Sequence, residues 1–122
     1  MVDKVYFFDS YAIIELIRGN PNYVPYGECR MATTALNLIE VHYILLREHD
    51  LKTADAFLKA LTKTAIPFEQ FISRANTMKL QLNKRNISAA DCVGYITAAS
   101  LGIKFLTGDK EFENLENVEF VK

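Results

Sequence analysis

At 122 residues, half of them hydrophobic and with formal charges summing to −1, the chain is sized for one domain around a single core. No long acidic or basic block runs through it, which argues against disorder and against a broad phosphate-binding footprint. Any affinity for nucleic acid must then come from a local patch or a bound metal.

Asp3 and Lys4 precede a short apolar run, so the N-terminus lacks a signal-peptide pattern. No apolar stretch approaches the roughly 18 residues that a membrane span needs. Cys29 and Cys92 lie far apart and fit no CxxC spacing, so a structural zinc site is not expected. Both read as buried thiols in a reducing compartment. The expectation is a soluble, cytoplasmic protein with no membrane association.

"KVYFF" (4–8) is β-branched and aromatic, and reads as a strand buried on both faces. "SYAIIELIRGN" (10–20) reads as a helix stopped by Gly19 and Asn20, with Pro21 just beyond. Residues 20–29 carry two prolines and two tyrosines and read as loop or a weak turn. Tyr23, Val24 and Tyr26 in that loop are expected to face solvent as an interface patch; the competing reading packs the loop over the core. "RMATT" suggests a short strand before a helix over about 35–48. Asp50 is placed to cap a helix over 51–63, with Lys52, Lys59 and Lys63 on a solvated face.

"AIP" (65–67) suggests a third short strand, followed by a helix over about 68–83. "NIS" leads into a helix over 89–101 that ends at Gly102. "IKFLT" (103–107) and "VEFV" (118–121) complete the strands. Strands separated by helices predict a three-layer α/β/α fold with a mostly parallel central sheet.

Two acids follow strands: Asp9 after "VYFF" and Asp109 after "IKFLTG". Functional groups gather at such strand ends in open parallel sheets. Asp9 also suits an N-cap, Asp109 also suits a turn, and Asp91 completes a Ser-x-x-Asp pattern with Ser88 that resembles a capping box. Glu40 lies in "TALNLIEVHYILL", a helix apolar almost all round and so expected to be buried on most sides. An ionised glutamate there needs a partner, and no cation sits within one turn of it. His42 reads as a core or surface histidine rather than a ligand. Gly94, Tyr95 and Ala98 continue the face of Asp91, which places that acid at a crowded meeting point. Four converging acids without a cation repel one another, and oxygen ligands of this kind suit Mg²⁺ or Mn²⁺.

The stretches "FFDSYAIIELIRGN", "TTALNLIEVHYIL", "NISAADCVGYITAASLGIKFLTGDKEF" and "VEFV", in that order and spacing, resemble those of PIN-domain nucleases. The compact length is most similar to the VapC-type toxins of prokaryotic toxin–antitoxin pairs. The resemblance implies metal-dependent hydrolysis of RNA phosphodiester bonds by Asp9, Glu40, Asp91 and Asp109, with Mg²⁺ or Mn²⁺ as cofactor. Ser10 and Thr107 match supporting hydroxyl positions, and Glu111 falls where many relatives hold an extra acid. Tyr11 departs from the pattern, since the family more often has a small residue there. The resemblance also implies an antitoxin partner and a homodimer.

RNA backbone contacts are expected from Arg74, Lys79, Lys84, Arg85 and Lys110, against the plainer reading of solvated helix faces. Two other classes compete. A phosphoacceptor signalling domain would place paired acids at the first strand's end, where "VYFFDSY" offers one. A non-catalytic RNA- or protein-binding module on a PIN-like fold would have a damaged acid set, whereas all four acids are present.

Overall fold

The structure, a computed structural model, describes residues 4–122. Asp3, used above in reading the N-terminus, lies outside them. Strand β1 (Val5–Phe8) occupies an inner position of a four-stranded sheet. It pairs with β2 (Arg30–Ala32) on one side and β3 (Lys104–Thr107) on the other, and β4 (Val118–Phe120) pairs with β3. Every pairing is parallel, in the order β2-β1-β3-β4.

Alternation along β1 sends its aromatic side chains to both faces of the sheet. Tyr6 and Phe8, with Leu106 of β3, pack under α1 (Ser10–Ile17), α2 (Ala35–Glu48) and α3 (Leu51–Leu61). Phe7 and Phe105, opposite each other in register, pack under α4 (Ile72–Gln81) and α5 (Ala89–Leu101). Both faces are thus covered, as the three-layer reading expects. Each fully buried phenylalanine contributes about 1.5–3 kcal/mol relative to exposure, as do the buried Ile13, Leu45 and Leu106 packed with them. Helix α5 lies very close to the sheet. A Cβ at Gly94 would stand only 2.8 Å from a Phe7 ring carbon and 3.1 Å from Phe105.

Local signals set most of the helix ends. The Asp50 side chain accepts the Thr53 amide at 2.7 Å and starts α3, while Thr34 caps α2 by accepting the Asn37 amide. Gly102, at φ +70, adopts the left-handed turn that ends α5. Lys52, Lys59 and Lys63 are exposed, as a solvated face requires.

Several elements differ from expectation. "AIP" forms no strand; only an isolated parallel bridge joins Thr33 to Ala65, and Pro67 has no amide with which to extend it. The helix expected over 68–83 begins as a 3₁₀ turn, Glu69–Phe71, before α4. Helix α2 is not buried on most sides, since Ile39, Tyr43 and Leu46 are exposed. Cys29 is only partly buried, and both thiols are free.

The expectation of an exposed aromatic loop is overturned. Tyr23 is fully buried, and its hydroxyl donates to the Val121 carbonyl. Tyr26 is half-buried and donates to Glu119 at 2.6 Å, leaving Val24 exposed. Both tyrosines hold the 20–29 segment onto the C-terminal strand, so their apolar surface is spent within the chain. Among the described residues, no helix is long and apolar enough to cross a membrane.

The strand order creates a crevice where a site can form. From β1 the chain moves outward to β2, whereas β3 returns on the opposite side of β1 and leads to β4. The carboxyl ends of β1 and β3 therefore flank a topological switch point, where open parallel sheets bind their ligands.

Candidate active site

Asp9 follows β1 at that crevice and is only 2% exposed. It occupies the N-cap position of α1 with extended backbone, yet its carboxylate makes no side-chain capping bond. Its Oδ2 instead accepts the Thr107 hydroxyl from the end of β3 at 2.7 Å. Its Oδ1 is buried without a hydrogen-bond partner. Burial, then the charge of Asp91, pushes this carboxyl from an ordinary 3.8 to about 8, with Glu40 adding to the rise. The Thr107 hydroxyl and the Ser10 amide oppose that shift without cancelling it.

Thr107 serves two acids. While donating to Asp9, its oxygen accepts the Asp109 amide at 3.1 Å. The Asp109 side chain in turn accepts the Glu111 amide at 3.0 Å and opens a short 3₁₀ turn, Lys110–Phe112. The Glu111 side chain reaches toward the segment before α5, its Oε1 accepting the Asn86 amide at 3.3 Å. Gly108 between them has no room for a side chain. A Cβ there would meet both the Tyr11 ring and the Val121 carbonyl at 2.3 Å. Tyr11, the departure from the family pattern, thus packs directly on the turn that presents Asp109.

Asp91 makes a complete capping box: its amide donates to Ser88 Oγ at 3.0 Å, and its Oδ2 accepts the Ser88 amide at 2.9 Å. Capping and site membership coincide here. Burial raises the Asp91 carboxyl, the Ser88 bonds lower it, and the charge of Asp109 raises it again. Glu40 finds its partner in Ser10, whose hydroxyl donates to Oε1 at 2.6 Å. Burial and the charge of Asp91 nevertheless hold the Glu40 carboxyl above its ordinary range. Asp9 is thus coupled to Asp91 and Glu40, and Asp91 to Asp109.

Behind Ser10 stands a residue that sequence reasoning did not single out. Asn37 is fully buried and donates through Nδ2 to Ser10 Oγ at 3.0 Å, while its Oδ1 accepts the Thr34 hydroxyl at 2.7 Å. With its oxygen accepting from Asn37, Ser10 is left to direct its single proton at Glu40. The signal was an asparagine one helical turn before Glu40 on an apolar helix.

The basic candidates separate into two places. Lys79 Nζ donates to the Ile87 carbonyl at 3.0 Å, and Arg85 donates to the Glu111 carbonyl at 2.7 Å, so both border the acids. Lys84 and Lys110 are exposed. Arg74 lies elsewhere: it reaches Ser100, nine residues along α5 from Asp91, or about 13 Å on a straight helix. His42 pairs with Asp55 across α2 and α3 at 2.8 Å, away from the acids.

The donor set suits a hard divalent cation. All four groups offer carboxylate oxygen, and the orphaned Asp9 Oδ1 is the kind of buried acceptor that a cation or ordered water satisfies. Among the described residues, no three His, Cys, Asp or Glu side chains stand ready to hold an ion. Like charges repel at this range, and Glu40, Asp91 and Asp109 each have one oxygen tied to a protein donor. A bound cation would have to draw in the remaining oxygens.

The chain belongs to the PIN-domain family, whose model matches residues 6–118. Solved structures share its fold. VapC20 of Mycobacterium tuberculosis, described as a Sarcin-Ricin loop cleaving toxin, superposes with a TM-score of 0.78 at 16% identity, covering 98% of this chain and all of that one (100%). VapBC-1 from nontypeable Haemophilus influenzae gives 0.71 at 19% identity, covering 97% of each chain. A toxin–antitoxin complex from Klebsiella pneumoniae also gives 0.71 at 19%, covering 93% of this chain and 94% of that one. No curated protein matches the sequence.

Proposed function

We propose that this chain is a metal-dependent ribonuclease and the toxin of a toxin–antitoxin pair, acting on RNA in the cytoplasm. The observation that carries the reading is Asp9: a buried carboxyl with one unpartnered oxygen, coupled to Asp91 and Glu40 where β1 and β3 end. A capping residue needs neither the burial nor the neighbouring acids.

Asp9, Asp91 and Asp109 would hold Mg²⁺ or Mn²⁺. When bound, such an ion supplies an acidified water and neutralises charge on phosphate oxygens during in-line hydrolysis. Glu40 keeps one oxygen fixed by Ser10 and has the other to hold the ion or to orient the attacking water. Thr107 keeps Asp9 and the Asp109 backbone in register with each other. Ser10 and Thr107 are thus positioning groups, whose loss in metal sites typically costs 10–100-fold in affinity or activity.

An antitoxin partner belongs to the same reading, supported by solved neighbours that are toxin–antitoxin complexes. A homodimer, which the resemblance implies, no longer has the 20–29 loop as its argument, because that loop packs on its own chain.

The test is incubation of purified protein with several structured and single-stranded RNAs in Mn²⁺, in Mg²⁺ and in EDTA. Cleavage with either metal and none with EDTA is expected. Cleavage undiminished by the chelator would overturn the metal mechanism. RNA binding without cleavage in either metal would favour the non-catalytic module.

A further inference from the structure

Beside the acids lies a hollow of about 310 Å³ lined by Asn76, Lys79, Leu80, Asn83 and Arg85. Two cations border it, and both are fixed to the backbone of acid-bearing segments. Lys79 Nζ holds the carbonyl of Ile87, the residue before the Ser88 cap of Asp91. Arg85 holds the carbonyl of Glu111, two residues beyond Asp109. Neither cation forms an ion pair with a carboxylate among the described residues, although Lys79 is close enough to Asp91 to lower its carboxyl.

That combination needs an explanation. Lysine beside several carboxylates normally settles onto one of them, since each pairing gains charge-assisted hydrogen bonds. Here each cation spends one donor on a carbonyl, which orients the head group; the Lys79 charge acts on Asp91 without forming an ion pair with it. The Lys79 ammonium has two further N–H groups and the Arg85 guanidinium has four. Asn76 and Asn83 add amide donors on the same hollow. A bound anion would find positive charge and amide groups lining one hollow there, on the side of the chain that carries Asp91.

We propose that this hollow is a phosphate subsite for the RNA strand, gripping a phosphodiester that flanks the one presented to Asp9, Glu40, Asp91 and Asp109. The subsite rests on the nuclease reading for its substrate. It adds two specific points: which side of the acid cluster the strand crosses, and which side chains hold it. Phosphate contacts of this kind position a strand without reading its sequence. The subsite therefore contributes affinity and register, and Arg74, which reaches from α4 to the far end of α5, takes no part.

The experiment measures binding of a fluorescein-labelled single-stranded RNA by anisotropy, in EDTA so that no cleavage intervenes, at two or more salt concentrations. Wild type is compared with Lys79→Ala, Arg85→Ala, the charge-keeping Lys79→Arg and Arg85→Lys, and Arg74→Ala. Each alanine variant is expected to weaken binding about 3- to 10-fold and to reduce the salt slope by about 0.7, the loss of one single-strand phosphate contact. The charge-keeping variants retain the slope, which separates lost charge from lost packing, and Arg74→Ala matches wild type. Unchanged affinity and slope in both alanine variants would overturn the subsite, as would wild type that binds no RNA. A wild type that cleaves RNA while the variants bind like the parent removes the subsite alone. Lys79- and Arg85-dependent binding without metal-dependent cleavage removes the nuclease reading and upholds the subsite.

Discussion

The Thr107 hydroxyl donates to Asp9 Oδ2 at 2.7 Å, joining the carboxyl ends of β3 and β1 through a side chain where the backbone ladder stops. One hydroxyl thereby fixes the orientation of a buried carboxyl and, by accepting the Asp109 amide, the turn carrying a second. Thr107→Val keeps the shape and removes both bonds. It is expected to cost about 1–3 kcal/mol through unsatisfied buried groups and to lower RNA cleavage about 10- to 100-fold. Thr107→Ser should recover most of both. Melting curves and single-turnover cleavage rates check this, and wild-type behaviour in Thr107→Val would deny the hydroxyl its role.

The raised Asp9 carboxyl makes a prediction about pH. Between an ordinary 3.8 and about 8 the folded chain keeps a proton on Asp9 that the unfolded chain releases. The folded state then binds more protons than the unfolded state, so stability falls as pH rises through that window. Glu40 and Asp91, also raised, add to the trend in the same direction. In EDTA the melting temperature should drop by about 4 °C or more between pH 5 and pH 8, the equivalent of roughly 1 kcal/mol. Asp9→Asn should flatten most of the dependence. A melting temperature that rises over this range would contradict the assigned shifts.

Asn37 gives a test of hydrogen-bond direction. Asn37→Asp preserves size but replaces the donor to Ser10 with an acceptor, so the Ser10 proton is drawn away from Glu40. It also buries another charge near the acids. The expectation is a loss of about 1–3 kcal/mol at pH 8, a smaller loss at pH 5, and cleavage reduced at least about 10-fold. Equal stability and kcat for variant and wild type at both pH values would show that Glu40 does not depend on this chain of donors.

Much of the architecture was legible because it is written locally. Apolar runs bounded by Asp9, Asp50, Ser88 and Gly102 mark where strands stop and helices start or end, and the structure uses Asp50, Ser88 and Gly102 in those roles. The positions of the acids after β1 and β3 were equally plain once the strands were drawn. What stayed hidden depends on distant contacts. Burial of Tyr23 requires the Val121 carbonyl, 98 residues away, so the composition of residues 20–29 could not announce it. The bridge at Ala65 competes with a true strand only because Pro67 follows and the partner segment at Thr33 is short. Helix α2 misled for another reason: an exposed Ile39 or Tyr43 has the same pattern as a buried one. Asn37 lay in view, but a polar residue inside an apolar helix acquires meaning only when Ser10 is seen against it.

The central claim is that Asp9, Glu40, Asp91 and Asp109 together hold a divalent cation, and that Asp9 is more than the start of a helix. The direct measurement is the shift in melting temperature that Mn²⁺ produces in wild type and in Asp9→Asn, each referred to its own curve in EDTA. Asparagine caps a helix nearly as well as aspartate, so a capping role predicts little change. The metal role predicts that Asp9→Asn in EDTA is as stable as wild type or more so, because repulsion among the acids is relieved. A ligand that binds only the folded state stabilises by mass action, about 2.7 kcal/mol at a hundredfold excess over Kd. Wild type should therefore gain several degrees with Mn²⁺, and Asp9→Asn should lose most of that gain. Equal Mn²⁺ shifts in the two proteins would return Asp9 to the role of a cap and contradict the account.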